Sequence, residues 1–210
     1  MSKDGILLAS GGLDSTTLAY WLLNQGIQFV PVFIDYGQHC ALTELESLKK
    51  VLPRSHTDKI EIIDIKSVYK YSRSRFIQAA DLWSEPITAD DLYIPYRNIL
   101  ILTIAASFAQ TLGYTNVYSA FINSNHAKEI DCSNEFFDEM ESILKEYGAV
   151  KIHMPFRKYS KYEVAKIGIS LGAPIGATFS CQASPTIPCG ACPNCVDRLD
   201  ALKQIEAESQ

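Results

Sequence analysis

No Lys follows the glycine pair near the start of this chain, no apolar run is long enough to cross a bilayer, and basic residues do not outnumber acids. Each absence removes a class of function. A Walker A loop reads G-x-x-x-x-G-K-[ST], so Ser10-Gly11-Gly12-Leu13-Asp14-Ser15 disfavours ordinary kinase or GTPase chemistry. The longest apolar stretch, Asn98 to Gly113, is interrupted by Thr103, Ser107 and Gln110 and falls short of the about 20 residues a spanning helix needs. No membrane role is expected. The N-terminus lacks a basic region followed by a long apolar one, so no secretory signal is expected and the cytoplasm is the default location. The net charge of -5 disfavours a broad nucleic-acid surface, which requires clustered Lys and Arg, although it leaves a local basic patch open. There is no internal repeat or low-complexity tract.

What is present suits a globular fold. A chain of 210 residues that is 47% hydrophobic can bury a substantial core. Strand-length apolar runs recur at Gly5 to Ala9, Gln28 to Ile34, Lys59 to Ile63, Asn116 to Phe121 and Lys151 to Met154. Helical periodicity separates several of them, at Ser15 to Asn24, Leu42 to Val51, Asn98 to Leu112 and Asn134 to Tyr147. This alternation predicts an α/β fold, a doubly wound parallel sheet with helices on both faces and ligands at the carboxyl ends of the strands. The helix from Asn98 is apolar almost all round and is expected deep against the sheet. Ser67 to Asp91 is polar and aperiodic, with Trp83, Pro86 and the acid pair Asp90-Asp91. A long loop with a short helix over the site is expected there, and the tail after Gln204 reads as frayed.

The hexapeptide lies between a strand-like run and a helix-like one, the arrangement of a phosphate cradle. Glycines let backbone approach an anion, Ser hydroxyls donate, and the following helix points free N–H groups and its positive dipole end at the same place. The competing reading is a plain turn, with Gly at positive φ and Asp or Ser as helix cap.

Of six cysteines, Cys181, Cys189, Cys192 and Cys195 form a C-x7-C-x2-C-x2-C array among Pro185, Pro188, Gly190 and Pro193. Four thiolates on such turns can enclose one Zn²⁺ with no open position, a structural site that ties the C-terminal loop to a helix starting near Val196. An iron–sulfur cluster accepts the same donors. With no export signal and a core of ordinary size, reduced thiols are expected. Cys40 reads as a small buried hydrophobe. Cys132 follows Asp131 in a polar loop, where a substrate-side role and a structural one both stand.

The hexapeptide resembles the SGGxDS signature of PP-loop ATP pyrophosphatases, which grip the pyrophosphate of ATP and transfer AMP to a substrate oxygen. Three further stretches sharpen the likeness: Asp35-Tyr36-Gly37-Gln38-His39, Ile94-Pro95-Tyr96-Arg97-Asn98-Ile99-Leu100 and Lys161-Tyr162-Glu163. Together with the cysteine array they resemble the 7-cyano-7-deazaguanine synthase family of the queuosine pathway, from about Gly5 to about Arg198. The resemblance implies one PP-loop domain over residues 1–210 with a zinc segment at 178–200, use of ATP and Mg²⁺, a bound Zn²⁺, and frequently a homodimer. It also implies an ATP-dependent carbon–nitrogen ligase that forms AMP and pyrophosphate. Such an enzyme converts a 7-carboxy-7-deazaguanine acid through an acyl-adenylate to an amide with ammonia and, with more ATP, to the nitrile.

Carried over by position, Ser10, Gly11, Gly12, Asp14 and Ser15 hold the ATP phosphates, with Asp14 also near Mg²⁺ or the helix cap. Arg97 and Lys161 neutralise charge between the α-phosphate and leaving pyrophosphate, or else are surface charges. Tyr36 and Gln38 meet adenine or ribose, or else belong to a turn. On the acceptor side the family pattern is close to D-x-S-G-Y-P-D-C-R, whereas this chain runs from Asn123 through His126 and Lys128 to Asp131-Cys132-Ser133. Asn123, Asp131 and Cys132 are the substrate candidates there, and the Gly-Tyr-Pro turn and the final Arg are absent. His39 also follows Gln38 directly, without the family's intervening Arg. Three functions remain: a divergent nitrile synthase, a defence-associated paralogue that joins the activated carboxylate to an amine of a partner protein, and a catalytically idle nucleotide-binding module. The presence of Asp14 and both glycines weighs against the last. tRNA thiolation is disfavoured by the acidic balance and the zinc-like use of the cysteines, and the chain has no room for a glutaminase domain.

Overall fold

A computed structural model describes residues 4–79, 88–122 and 131–208. In chain order the elements are β1 (Gly5–Leu8), α1 (Leu13–Asn24), β2 (Phe29–Asp35), α2 (Ala41–Val51), α3 (Arg54–Thr57), β3 (Glu61–Asp64), α4 (Lys66–Tyr69) and α5 (Ala89–Leu92). There follow α6 (Arg97–Thr111), β4 (Asn116–Tyr118), α7 (Asn134–Tyr147), β5 (Lys151–His153), α8 (Lys161–Ser170) and α9 (Pro193–Glu208). The sheet has the order β3-β2-β1-β4-β5 and every neighbouring pair is parallel. All five expected strands form, some of them shorter than the apolar runs that announce them.

Alternate side chains on a strand point to opposite faces, and here both faces are apolar because helices cover both. Leu7, Phe29 and Phe33 pack with Leu18 and Leu22 of α1, Leu48 of α2 and Val164 of α8. Ile6, Val32, Ile34 and Val117 pack on the other side with Leu102 and Ala105 of α6 and Phe137 of α7. The chain steps from β1 to β2 and β3 on one side and later to β4 and β5 on the other. The divergence between β1 and β4 opens a crevice at their carboxyl ends.

Three local expectations need correction. The residues after Gln204 remain helical to Glu208, because the Glu208 carboxylate pairs with Lys166 at 2.8 Å and accepts from the Tyr162 hydroxyl. Helix α9 begins at Pro193 rather than near Val196; a ring-fixed φ and a missing N–H suit proline to a first turn. Helix α6 buries Leu102, Ala105 and Ala109 but leaves Ile99 37% exposed, so it is one-sided rather than enclosed. In the Ser67–Asp91 region, α4 stands at one end and α5 at the other, the latter started by a reciprocal cap between Thr88 and Asp91. Trp83 and Pro86 lie outside the described residues.

Gly11 sits at the junction of β1 and α1 with φ 74°, and an added Cβ would lie 2.5 Å from the Glu44 carbonyl oxygen and the Leu48 nitrogen of α2. Gly26 also has positive φ (71°), with nothing within 4 Å of its would-be Cβ. Gly11→Ala is therefore expected to cost about 2 to 5 kcal/mol, strain plus backbone displacement, against about 1 kcal/mol for Gly26→Ala. Urea unfolding of both variants measures this, and equal losses would contradict the close approach of α2.

Candidate active site

The loop between β1 and α1 is tied internally before any ligand is considered. The Ser10 N–H donates to Ser15 Oγ at 3.2 Å, Ser15 Oγ donates to the Gly12 carbonyl at 3.2 Å, and the Gly12 N–H donates to Ser10 Oγ at 3.3 Å. The Gly11 carbonyl accepts from Ser47 Oγ of α2 at 2.9 Å and from the Phe179 N–H at 3.1 Å. With its back fixed in this way, the loop presents the first turn of α1, whose N–H groups have no partners within the helix, to the crevice. That is the geometry of an anion seat.

Asp14, in the same first turn, pairs with Lys161 Nζ at 2.5 Å. Lys161 is placed by a capping box: Ser160 Oγ accepts from the Glu163 N–H, and the Glu163 carboxylate accepts from the Ser160 N–H at 2.7 Å. A cation at the start of α8 opposes the helix dipole, and the Asp14 carboxylate offsets that cost. The other oxygen, Asp14 Oδ1, is buried without a hydrogen-bond partner among the described residues. Such an oxygen suits a cation ligand.

Across the crevice, Tyr96 adopts the left-handed conformation (φ 62°), the one described non-Gly residue with positive φ, and turns the chain so that α6 begins at Arg97. The guanidinium lies 4.8 Å from the Phe76 ring centroid and 5.8 Å from that of Tyr36, and its Nε donates to Asn98 Oδ1 at 3.3 Å. Two aromatic faces and one amide thus hold the cation in place. Asn98, fully buried, donates through Nδ2 to the Asp131 carbonyl at 2.9 Å and toward Cys132 Sγ at 3.3 Å.

A cleft of about 320 Å³ brings together Ser10, Gly12, Asp14, Ser15, Tyr36, Gln38, Arg97 and Lys161. Gly11 stands behind the loop. Gln38 is almost fully buried and its amide is committed: Oε1 accepts from the Tyr36 N–H at 3.0 Å, and Nε2 donates to Glu44 Oε2 at 2.9 Å and to the Ile34 carbonyl at 3.4 Å. Its side chain braces the turn after β2. Burial holds the Tyr36 hydroxyl above its usual pKa, so it is a neutral donor at the cleft edge. Asp131 and Cys132 buttress Asn98 instead of lining the cleft. Burial raises the Asp131 pKa, Arg97 opposing, and pushes Cys132 up to about 11; a protonated thiol is no nucleophile at neutral pH. Asn123 lies outside the described residues. Sequence reasoning missed Phe76, the platform under Arg97, and Glu44, a cleft carboxylate on α2. Neither carries a motif signal, since Glu44 reads as the polar face of an amphipathic helix.

The Sγ atoms of Cys181, Cys189, Cys192 and Cys195 all lie within 4.8 Å of one another, the one such ligating group found among the described residues. Backbone N–H groups of Ala183, Ser184 and Cys189 point at Cys181 Sγ (3.2 to 3.5 Å), and those of Ala191 and Cys192 at Cys189 Sγ. Donors aimed at sulfur stabilise thiolates, and the neighbouring thiols drive the Cys181 pKa down. The donor set therefore fits a metal ion. Cys40 packs beside the cluster; burial pushes it up to about 12, in line with the expected buried hydrophobe. From α9, Arg198 donates to the Thr178 and Ile175 carbonyls, both at 2.9 Å. The next residue, Phe179, holds Gly11.

The family model described as queuosine biosynthesis protein QueC matches residues 4–206. A 7-cyano-7-deazaguanine synthase of Methanospirillum hungatei is 30% identical, covering 95% of this chain and 94% of that protein. The 7-cyano-7-deazaguanine synthase 1 of Sulfurisphaera tokodaii is 33% identical over 97% of this chain and 94% of its own length. Among solved structures, a 4-thiouridine synthetase in complex with RNA and bound ATP shares the fold at a TM-score of 0.52 and 16% identity. The match covers 97% of this chain, which spans 50% of that longer one.

Cys192→Ser should strip the metal and remove at least about 2 kcal/mol of stability, because ligand binding energy is folding energy at such a site. Metal analysis of purified protein alongside thermal melting checks both. A variant with unchanged metal content and melting temperature would show that the four sulfurs hold no ion.

Proposed function

The chain belongs to the family of queuosine biosynthesis protein QueC, and on that premise we propose that it is an ATP-dependent 7-cyano-7-deazaguanine synthase. It adenylates the carboxylate of 7-carboxy-7-deazaguanine and converts the product with ammonia to the amide and then the nitrile. The observation that carries this reading is the facing pair of cationic groups, Lys161 on Asp14 and Arg97 on its aromatic platform, across a glycine loop at the point where the sheet changes direction.

The chemistry needs such an arrangement. A carboxylate is a poor electrophile; attack of its oxygen on the α-phosphorus of ATP expels pyrophosphate and gives an acyl group with AMP as leaving group. The loop N–H groups with Ser10 and Ser15 bind the departing pyrophosphate, while Lys161 and Arg97 approach from opposite walls to take up the charge that grows between it and the α-phosphate. Because Arg97 is already clamped, little reorganisation is needed at the moment of transfer. Asp14 Oδ1 would hold Mg²⁺, which supplies charge neutralisation on the phosphates. The cysteine cluster would hold Zn²⁺: a Zn–S bond of about 2.3 Å sets sulfurs about 3.8 Å apart in a tetrahedron, compatible with the spacing observed. With all four positions filled by sulfur, that ion is structural and keeps α9 and Arg198 in place.

Incubation with ATP, Mg²⁺, 7-carboxy-7-deazaguanine and ammonium is expected to yield the nitrile. Adenylate that accumulates and transfers instead to an amine of a partner protein would replace this reading with that of a protein-directed paralogue. Asp14→Asn should reduce carboxylate-dependent pyrophosphate release by about a hundredfold or more while the circular dichroism spectrum remains that of the folded protein. Near-normal release would remove Asp14 from the mechanism.

A further inference from the structure

Both nitrogen steps of the proposed reaction shed a proton. When ammonia attacks the acyl carbon, the C–N bond forms, the C–O bond to AMP breaks with its electron pair, and the attacking nitrogen must lose a proton. When the amide oxygen is in turn adenylated, one N–H proton is lost to give the imidate, and when AMP departs with the electron pair of the C–O bond the C≡N bond forms as the second N–H proton is lost. A cleft that does this at neutral pH needs a proton acceptor close to the acyl carbon. Asp14 is poorly suited, being committed to Lys161 at 2.5 Å.

We propose that Glu44 is this acceptor, taking the proton from the nitrogen nucleophile on its Oε1 atom and releasing it to solvent between steps. The proposal rests on the reading of the cleft as a carboxylate-activating site. Glu44 lines that cleft on the turn of α2 that packs against the phosphate loop: its own carbonyl is the atom a Gly11 Cβ would strike at 2.5 Å. Its Oε2 accepts from Gln38 Nε2 at 2.9 Å, and Gln38 is itself fixed by Tyr36 and Ile34, so the carboxyl group has a defined orientation. Among the described residues the Glu44 carboxylate has no other hydrogen-bond partner and no ion pair, which leaves Oε1 for a ligand.

The groups that face it set its proton affinity. Asp35 and Tyr36 at the end of β2, Cys40 at the start of α2 and Arg97 at the start of α6 surround it with Gln38. Burial dominates and, with Asp35, outweighs the hydrogen bond from Gln38 and the charge of Arg97, pushing the carboxyl up to about 7. A base of that strength is about half deprotonated at neutral pH and still able to take a proton in the transition state. Because Gln38 stabilises the charged form, its loss raises the pKa further.

The test compares carboxylate-dependent pyrophosphate exchange with amide formation across pH 5.5 to 9. In Glu44→Gln the ratio of ammonium-dependent amide formation to exchange should fall by about a hundredfold. Hydroxylamine, a nucleophile that is neutral at pH 7, should restore most of the trapping. The wild-type acid limb of amide formation should sit near the titration of Glu44 and move to higher pH in Gln38→Leu. A ratio unchanged in Glu44→Gln, a parallel loss of exchange and amide that hydroxylamine fails to rescue, or an acid limb unmoved in Gln38→Leu would overturn the proposal. Absence of carboxylate-dependent exchange in the wild-type protein would remove the activation reading itself, and the proposal with it, before any variant is compared.

Discussion

The backbone of Gly11 lies so close to α2 that no side chain fits between them, and the rest of the site depends on that contact. Its carbonyl is the meeting point of three segments far apart in sequence: the loop after β1, Ser47 of α2, and Phe179 from the C-terminal region. Phe179 is in turn positioned by Arg198 through Thr178 and Ile175, and Arg198 stands one turn beyond Cys195 of the cysteine cluster. The cysteine cluster therefore has a route to the anion seat. Backbone amides can be aimed at an anion only if the loop cannot relax away, and here its back is held by two hydrogen bonds and a steric stop.

The two cationic groups are held by different physics. Lys161 is placed by a helix cap and retained by an ion pair that offsets an unfavourable helix dipole. Arg97 follows a strained left-handed Tyr96 and rests on two rings. The strain at Tyr96, of order 1 to 3 kcal/mol, is sustained by the packing of Ile94 and Leu92 with Phe76 and Tyr69. Each device brings a charge to the same cleft from an opposite wall, and the glycine loop lies between them. The PP-loop fold supplies the frame; these local devices supply the site.

Much of this was legible in the sequence. Five apolar runs became five parallel strands because burial on both faces leaves a continuous hydrophobic signature, and the cysteine spacing announced a cluster because few other structures use that pattern. Ser10 to Ser15, Arg97 and Lys161 were found as motifs. What was not legible depends on tertiary contacts. Glu208 holds the last helical turn only because Lys166 and Tyr162 lie opposite it. Gln38 reads as a ligand-binding side chain until its amide is seen to be committed on both ends. Cys132 has a motif but no activated thiol, since burial sets its proton affinity. Glu44 gives no sign at all, because one carboxylate on an amphipathic helix looks like any other until the cleft is closed around it.

The central claim is that this cleft hands the adenylyl group of ATP to a carboxylate. Substrate acid carrying a heavy oxygen isotope in its carboxylate, turned over with unlabelled ATP and ammonium, tests it most directly. Attack by that oxygen on the α-phosphorus predicts AMP bearing one heavy oxygen and pyrophosphate bearing none. Unlabelled AMP, or label in orthophosphate or pyrophosphate, would show that activation proceeds by another route and would contradict the account.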